Sequence, residues 1–277
     1  MYQTDPPRSP KEVMPTMYDL PSEEIGDSGL PDEFHIWQAR LLSDTFCPPS
    51  YSEDQVLVAS DLNLYYDPRH TQWYKRPDWF AVVGIPKLYE ERYLRLSYVI
   101  WQEGVAPFVA VEFLSPGTEK EDLGQTLREA AQPPTKWQVY EQILQIPYYL
   151  VFNRYTDELQ AFRLEGRRYR ALDLEQSRVW MSGIELGIGL WQGSYENVER
   201  QWLRWFNASG QWIPTPPERE ANLAEQERQR AEQERQRAER ERQRAEQERQ
   251  RAEQERRRSE RLLEQLRSLG IEPDLET

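Results

Sequence analysis

The alternation of apolar and polar residues predicts where helices and strands lie along the chain. Apolar residues recur at rough helical spacing after Pro31-Asp32, which predicts a helix that runs through Phe46. Short segments with alternating or continuous apolar residues are typical of strands. They lie at 55–67, 76–86, 97–101, 107–117 and 147–156, and 158–172 predicts a hairpin that turns at Glu165-Gly166. Further helices are predicted at 135–144 and, carrying Trp202 and Trp205, within 189–206.

The order of these elements predicts the α/β class, with a mixed sheet and helices packed on it. Segment 107–117 is nearly continuous in apolar residues, which is typical of a buried central strand. Polar residues fill 118–134, a segment that ends in Pro133-Pro134. We therefore expect the sheet to be built around 107–117.

A seven-residue repeat occupies residues 218–269 and predicts a long helix. Its residue types are Ala, Glu, Gln and Arg, all strong helix formers, and many Glu and Arg residues are spaced as helix-stabilising pairs. Coiled coils normally need apolar residues at both the a and d positions. Here a is alanine and d is glutamate, with leucines only near the end. A solitary charged helix and a weak homo-oligomer with an alanine seam both remain open, and Gly270 and Pro273 predict where the helix ends.

Composition changes sharply along the chain and indicates its domain organisation. All ten tryptophans lie within 31–217, so this segment is predicted to be the folded domain. Residues 1–30 are rich in proline and predict an extended or disordered lead-in, and 270–277 form a short tail. This division explains how a chain with 12% aromatic residues has a mean hydropathy of only −0.89.

The counts of cysteine, histidine and charge exclude several kinds of site. A single cysteine, Cys47, excludes an internal disulfide, and with only two histidines a zinc site of several Cys or His ligands is not expected. A bound metal would be held mainly by carboxylates, which favours hard cations such as Mg²⁺. The net charge of −13 argues against a protein that coats nucleic acid, but not against an enzyme that contacts it at one site. The sequence has neither an apolar run of membrane-spanning length nor an apolar leader, so we predict a cytoplasmic protein that does not bind membranes.

Three charged residues occupy positions where they could carry chemistry. Asp78 begins a predicted strand, Glu112 lies within the most apolar strand, and Lys136 opens the helix that follows. Two carboxylates on neighbouring strands can share one hard cation, and a nearby ammonium can stabilise the charge that develops on a phosphate under attack. From spacing alone, the alternatives of a turn residue, a solvent-facing strand residue and a surface helix charge remain open.

Four ordered blocks of residues carry a resemblance to a known family. They are Pro77-Asp78 before a strand, Val111–Pro116 at a strand end, Lys136 and Tyr140 on a helix, and Ile146–Val151 in the next strand. With these blocks, residues 31–217 resemble the Uma-type putative restriction endonuclease family of bacteria, a branch of the PD-(D/E)XK nuclease superfamily. The resemblance implies a restriction-endonuclease-like mixed sheet flanked by helices.

The resemblance also implies a metal-dependent endonuclease that hydrolyses the phosphodiester bonds of DNA. Asp78 and Glu112 would hold Mg²⁺ or Mn²⁺, and Lys136, displaced from the strand onto the helix, would assist the attack. The acidic composition and the long repeat favour an alternative function. In this alternative, a catalytically inactive descendant uses the same fold as a binding module or scaffold and assembles through residues 218–269.

Two features depart from the family pattern. The family has an aspartate just before the lysine-bearing helix, whereas here Asp122 lies fourteen residues ahead of Lys136. We interpret Asp122 as a loop acid, with a supporting role behind the metal ligands as the alternative. Lys120 is an alternative to Lys136, because the loop after the Glu112 strand could fold back. The long charged tail is the second departure.

Other polar residues near these motifs are expected to be structural. We expect His35 to pack or form a hydrogen bond rather than act as a base or ligand, Glu33 to be a helix-start acid, and Asp61 to point outward from a strand. The basic residues closest to the candidate site are Lys75, Arg76, Arg92 and Arg95. Phosphate contacts and ordinary surface charge are both compatible with this basic cluster.

Overall fold

The computed structural model describes residues 32–115, 119–126 and 132–268. The chain divides into two compact units between Thr215 and Pro216. The described part of the first unit is a mixed α/β fold, which confirms the predicted fold class, and that of the second is one long helix. The predicted lead-in at 1–30 and the predicted helix end at Gly270 and Pro273 lie outside the described residues.

The elements of the first unit are short and follow one another closely. The helices are α1 (Glu33–Thr45), α2 (Ile100–Glu103), α3 (Glu119–Asp122) and α4 (Lys136–Gln138), the last continued by a π-helical turn (Val139–Ile143), and a 3₁₀ turn spans Glu53–Gln55. The strands are β1 (Val56–Ala59), β2 (Leu64–Tyr65), β3 (Tyr74–Lys75), β4 (Trp79–Val83), β5 (Tyr98–Val99), β6 (Val109–Phe113), β7 (Tyr148–Asn153), β8 (Glu158–Glu165), β9 (Arg168–Ala171), β10 (Arg178–Met181), β11 (Leu186–Tyr195) and β12 (Val198–Phe206).

Six strands form the main sheet, in the order β1-β4-β6-β7-β8-β9. The pair β6–β7 is parallel and the other pairs are antiparallel, so the sheet is mixed as predicted. All five residues of β6 are buried, which confirms the prediction that 107–117 contains a central strand. Alternate residues of β6 face two separate hydrophobic cores, one on each side of the sheet. Glu112 is therefore a charged residue in the middle of the fold.

Helix α1 begins where the sequence predicts and packs against a second sheet. Asp32 caps it, because its carboxylate accepts the His35 backbone N–H at 3.1 Å. The Gln38 side chain exchanges two hydrogen bonds with the Leu203 backbone, each of 2.9 Å, and so ties α1 to β12. The second sheet has the order β10-β11-β12, and a third, small sheet has the order β3-β2-β5.

The predicted short helix within 189–206 is wrong, because this segment is a β-hairpin of β11 and β12. Glu196 and Asn197 form its two-residue turn with φ of 50° and 62°, as such hairpin turns require. Trp202 and Trp205 are three residues apart, a spacing that also occurs on one face of a helix. The polar turn residues were the signal for a hairpin, and the aromatic spacing obscured it.

Three other predicted elements are shorter or more irregular than expected. The strand predicted at 97–101 is only β5, because Ile100 and Trp101 belong to helix α2. Segment 55–67 is broken into β1 and β2 by a bend at Asp61, whose φ is 51°. The helix predicted at 135–144 is present, but only α4 is α-helical, and its second half is the π-helical turn.

The second unit contains helix α5 (Pro216–Ser268), which begins two residues before the predicted repeat. Its 53 residues correspond to about 80 Å at 1.5 Å per residue. Side chains four residues apart interact along it, as in Gln229–Glu225 at 3.0 Å and Arg256–Glu260 at 3.1 Å. None of the described side chains of α5 is buried. Among the described residues, no helix combines the length and apolar character needed to cross a membrane.

Salt should lower the helix content of α5, because its charged pairs are exposed and each contributes only about 0.2–0.5 kcal/mol. Raising the salt from about 0.01 M to about 1 M shortens the screening length roughly tenfold. We expect a smaller far-ultraviolet circular dichroism signal for the full chain. The near-ultraviolet tryptophan signal is the control, since all ten tryptophans lie within 31–217. An unchanged far-ultraviolet signal would contradict a helix held by charged pairs.

Candidate active site

The candidate site lies where β4 and β6 run side by side. These strands are antiparallel, with Trp79 opposite Val111, so Asp78 and Glu112 become neighbours. The Asp78 backbone N–H points at Glu112 Oε2 over 3.4 Å, and Asp78 Oδ2 accepts the Phe113 N–H at 2.5 Å. Strand pairing thus brings together the two carboxylates predicted from the sequence.

Lys136 reaches the same point from the start of α4. A capping box begins this helix: Thr135 Oγ1 accepts the Gln138 N–H, and Gln138 Oε1 accepts the Thr135 N–H. Glu121 Oε1 accepts the Lys136 backbone N–H at 3.1 Å, which fixes the helix start against α3. From this position Lys136 Nζ donates to Glu112 Oε2 at 2.9 Å. All three residues predicted from the sequence therefore meet at one place.

The π-helical turn after α4 brings Tyr140 onto Glu112. Such turns are frequent at functional sites. The Tyr140 hydroxyl donates to Glu112 Oε1 at 2.8 Å, so that Lys136 and Tyr140 each hold one oxygen of the same carboxylate. The four-residue spacing of Lys136 and Tyr140 predicts that both side chains lie on the same face of a helix. The contact of Tyr140 with Glu112 was not predicted from the sequence.

Asp122 lies inside the site, so its interpretation as a loop acid is wrong. It ends α3, is only 1% exposed, and its Oδ1 lies 3.1 Å from Lys136 Nζ. The Tyr149 hydroxyl donates to the Asp122 main-chain carbonyl at 2.9 Å. Apart from the ion pair with Lys136, the two carboxylate oxygens have no hydrogen-bond partner among the described residues. Lys120, the alternative lysine, is exposed on the same helix.

A close contact between Gly124 and Trp137 explains how Asp122 returns to the site. Gly124 has a φ of +69°, and a Cβ there would lie 2.8 Å from Trp137 Cδ2, so only glycine fits. Trp137 also packs edge-on against Tyr149. The segment after β6 thus folds back onto α4, and this long-range contact is the reason that Asp122 could not be placed from its sequence position.

A comparison with models of protein families assigns the chain to a known group. The model of Uma2, described as a putative restriction endonuclease, matches residues 11–194, more than half of the chain. The chain belongs to the Uma2 family. The matched range includes the carboxylate cluster and Lys136. A comparison with curated proteins gives no match.

Three carboxylates share one ammonium in this Uma2 site. Burial raises the pKa of Asp78 against the opposing charges of Lys136 and His35. Burial also raises the pKa of Glu112 well above its usual value, and the negative charges of Asp78 and Asp122 act in the same direction against Lys136. Burial lowers the pKa of Lys136, but the three carboxylates outweigh this effect and raise it well above its usual value. Lys136 therefore stays charged, but this single ammonium is opposed by three acidic side chains, so the cluster has fewer basic than acidic groups.

The composition of the Uma2 site suits a hard divalent cation. Within the described ranges, no three His, Cys, Asp or Glu side chains are close enough to form a complete metal cage. Carboxylate oxygens are nevertheless the ligands that such cations prefer, and the buried Asp122 oxygens have no hydrogen bond from a described residue besides the ion pair with Lys136. The Asp78 side chain is 19% exposed and that of Glu112 is not exposed, so the site is accessible on the Asp78 side. Asp78 and Glu112, the ligands predicted from the sequence, are two of the carboxylates that could hold such a cation.

His35 lies beside Asp78, a contact that the sequence did not predict. Its expected hydrogen bond is present, because Nδ1 lies 2.8 Å from Asp32 Oδ1. Its Nε2 lies 4.0 Å from Asp78 Oδ2. Burial lowers the pKa of His35, but the hydrogen bond to Asp32 and the charge of Asp78 outweigh burial and raise it. A positive charge on His35 would partly offset the carboxylates of the Uma2 site.

The remaining candidate residues lie elsewhere or have structural partners. Glu33 is exposed, and so is Asp61, which lies in a bend 3.6 Å from Arg76 rather than in an alternating strand as predicted. Two members of the basic cluster are held by glutamates: Lys75 Nζ donates to Glu121 at 2.8 Å, and Arg95 Nε donates to Glu103 at 2.8 Å. Lys75 thus binds the same Glu121 that accepts the Lys136 N–H beside the site. Arg95 also donates to the Pro86 and Lys87 carbonyls after β4, at the other end of this strand from Asp78.

Replacing Asp78 with asparagine should stabilise the metal-free protein, because one of three clustered negative charges disappears while an oxygen remains to accept the Phe113 N–H. We expect a gain on the order of 1 kcal/mol, or roughly 2–4 °C in Tm. Adding Mg²⁺ should raise the Tm of the wild type but not that of Asp78→Asn, since a ligand stabilises only the state that binds it. Thermal unfolding with and without Mg²⁺ measures both effects.

Asp61→Asn is the matched control, since Asp61 is an exposed aspartate on a nearby bend. This variant should keep the full response to Mg²⁺. A response to Mg²⁺ that persists in Asp78→Asn would contradict the assignment of Asp78 as a ligand.

Proposed function

We propose that this Uma2 protein is a metal-dependent endonuclease that hydrolyses phosphodiester bonds of DNA. The observation that carries the proposal is the meeting of Asp78 and Glu112 on neighbouring strands. Lys136, from the start of α4, pairs there with both Glu112 and the buried Asp122. Membership in the family supports a nuclease-type function. Carboxylates that can hold a cation, together with an adjacent ammonium, are the groups that metal-assisted hydrolysis of a phosphodiester requires.

In this proposal Asp78 and Glu112 hold Mg²⁺ or Mn²⁺. When bound, such an ion polarises a phosphate oxygen and lowers the pKa of a coordinated water. Lys136 donates a hydrogen bond to the phosphate oxygen on which negative charge develops, or it orients the attacking water. Asp122 keeps the ammonium charged, and Tyr140 fixes the second oxygen of Glu112.

The reaction joins the oxygen of water to phosphorus and breaks the bond from phosphorus to one sugar oxygen. The water gives up a proton and the departing sugar oxygen gains one, so no redox partner is needed. The role of the protein is to hold charge opposite the phosphate and to position the water, which are the main tasks in this class of reaction.

Cleavage of plasmid and single-stranded DNA with Mg²⁺ or Mn²⁺ tests this function. We expect cutting that a chelator abolishes. Lys136→Met and Glu112→Gln should each lower the rate by about 10²–10³, the usual cost of removing one group that stabilises a transition state. Lys120→Met, which changes an exposed lysine near the same site, should cut like the wild type.

Two outcomes would contradict this proposal, the first the role of Lys136 and the second the endonuclease function itself. One is full activity in Lys136→Met, since Lys136 is the lysine in contact with Glu112. The other is an absence of cutting on every substrate by a wild-type protein that circular dichroism shows to be folded. The second outcome would favour the alternative of a binding module or scaffold.

The charge pattern of α5 argues against the assembly that this alternative requires. With alanine at a, the repeat places arginine at both e and g, as at Arg235 and Arg237. In a parallel pair of helices, g lies opposite e of the partner, so arginine would face arginine, and glutamate would occupy the d position in the seam. We therefore favour a solitary helix over the homo-oligomer.

Sedimentation of the full chain should give the monomer mass of 33.1 kDa over a wide concentration range. Like charges at e and g disfavour pairing of α5, so a chain ending at Thr215, which lacks this helix, should have the same monomeric state. A dimer that forms only when α5 is present would contradict the solitary helix and support the scaffold.

A further inference from the structure

The turn that follows β7 lies at the same end of the sheet as the candidate site. Strands β6 and β7 are parallel, with Phe113 opposite Phe152. The Leu114 N–H, just after β6, donates to the Phe152 carbonyl at 2.8 Å. Arg154 and Tyr155 follow directly after β7, so they emerge where the strand that carries Glu112 also ends.

A continuous line of side-chain contacts connects this turn to the candidate site. Asp78 Oδ2 lies 4.0 Å from His35 Nε2, and His35 Nδ1 lies 2.8 Å from Asp32 Oδ1. The other oxygen of Asp32 pairs with Arg154 Nη1. Arg154 Nη2 in turn donates to the Tyr155 hydroxyl at 2.6 Å. Tyr155 is thus connected to Asp78 through Arg154, Asp32 and His35, of which His35 is the residue beside the carboxylate.

The turn itself is held in one conformation. Asn153 Oδ1 accepts the backbone N–H groups of Tyr155 at 2.9 Å and of Thr156 at 3.3 Å. The Arg154 guanidinium lies 4.7 Å from the centre of the Tyr155 ring. One face of the ring is therefore covered by a cation, and a fixed side chain loses little further entropy when it binds a partner.

The Tyr155 ring is nevertheless open to solvent. Tyr155 is 61% exposed, more than any other Phe, Trp or Tyr in the described residues. A second guanidinium is near, because Arg200 Nη2 donates to the Arg154 carbonyl at 3.0 Å. Two carboxylates, Asp32 and Asp157, lie beside these arginines, so the turn is not a purely basic patch. A flat, exposed ring is its distinctive feature, and such rings bind nucleic acid by stacking on unpaired bases.

We propose that Tyr155 stacks on an unpaired base of a DNA strand whose phosphate lies at the carboxylate site. This inference rests on the proposed function and adds a substrate class to it. The preferred substrate has at least one unpaired nucleotide beside the phosphate that is cut, as in a single strand. The bases inside a blunt duplex are stacked on each other, so that only the outer faces of its two terminal pairs are free.

Binding of labelled oligonucleotides by the wild-type protein in a chelator tests this proposal, because binding is then separate from metal-dependent cleavage. Fluorescence anisotropy should give tighter binding of a single strand than of a blunt duplex. Tyr155→Ala should weaken binding of the single strand by about 5- to 100-fold, the usual effect of losing one stacked base. Tyr155→Phe keeps the ring and should stay within about threefold of the wild type.

Two further measurements separate stacking from other effects. Tyr93→Ala is the matched control: Tyr93 is also exposed and lies under its neighbour Arg92 at 5.2 Å, but it is part of a different segment. It should bind like the wild type. An oligonucleotide with a fluorescent 2-aminopurine should be quenched by the wild type and Tyr155→Phe, and far less by Tyr155→Ala.

Unchanged binding by Tyr155→Ala, an equal loss in Tyr93→Ala, or an equal loss on the blunt duplex would overturn the proposal. So would a wild type that binds no single strand. A failure of the proposed endonuclease function would give a different result. If Tyr155 is required for binding but no metal supports cutting, the stacking residue stands and the catalytic function falls.

Discussion

A single ammonium shared between buried carboxylates is the interaction on which the candidate site depends. Lys136 Nζ lies 2.9 Å from Glu112 and 3.1 Å from Asp122, and both acids are almost wholly buried. Removing a partner from such a cluster leaves an uncompensated charge and is strongly destabilising. The capping box at Thr135, the π-helical turn at Tyr140 and the return of the segment after β6 all serve to bring these groups together. The remaining deficit of positive charge is the physical basis for expecting a divalent cation.

The family match and the fold do not end at the same residue. The Uma2 match ends at residue 194, within β11, whereas the compact unit continues to Thr215. Strand β12 lies beyond the match but is necessary to the unit, since its Leu203 backbone binds Gln38 of α1. Helix α5 lies beyond both and is uniformly exposed. The nuclease-type function therefore concerns the first unit. The long helix needs a separate explanation, and its charge pattern favours a helix that does not pair with a second copy.

Local patterns were sufficient to predict the residues whose position depends on one strand or one helix. Asp78, Glu112 and Lys136 fall into this group, because strand alternation and a helix start place each of them, although only the resemblance to the family singled them out as a site. Asp122 does not, because its place depends on the contact of Gly124 with Trp137, which no local pattern encodes. The contact of His35 with Asp78 is similarly a consequence of how α1 packs on the sheet. The hairpin of β11 and β12 was missed because its tryptophan spacing imitates a helix, although Glu196 and Asn197 marked the turn.

Direct titration with Mn²⁺, followed by the electron paramagnetic resonance of the free ion, tests the central claim most directly. A cation needs ionised carboxylates, and the pKa values of Asp78 and Glu112 are raised, so binding should weaken as the pH falls through those raised values. The account predicts binding that Mg²⁺ competes for, that strengthens with rising pH, and that Glu112→Gln abolishes while Lys120→Met does not. Binding of equal strength in Glu112→Gln, or binding that does not change with pH, would contradict it.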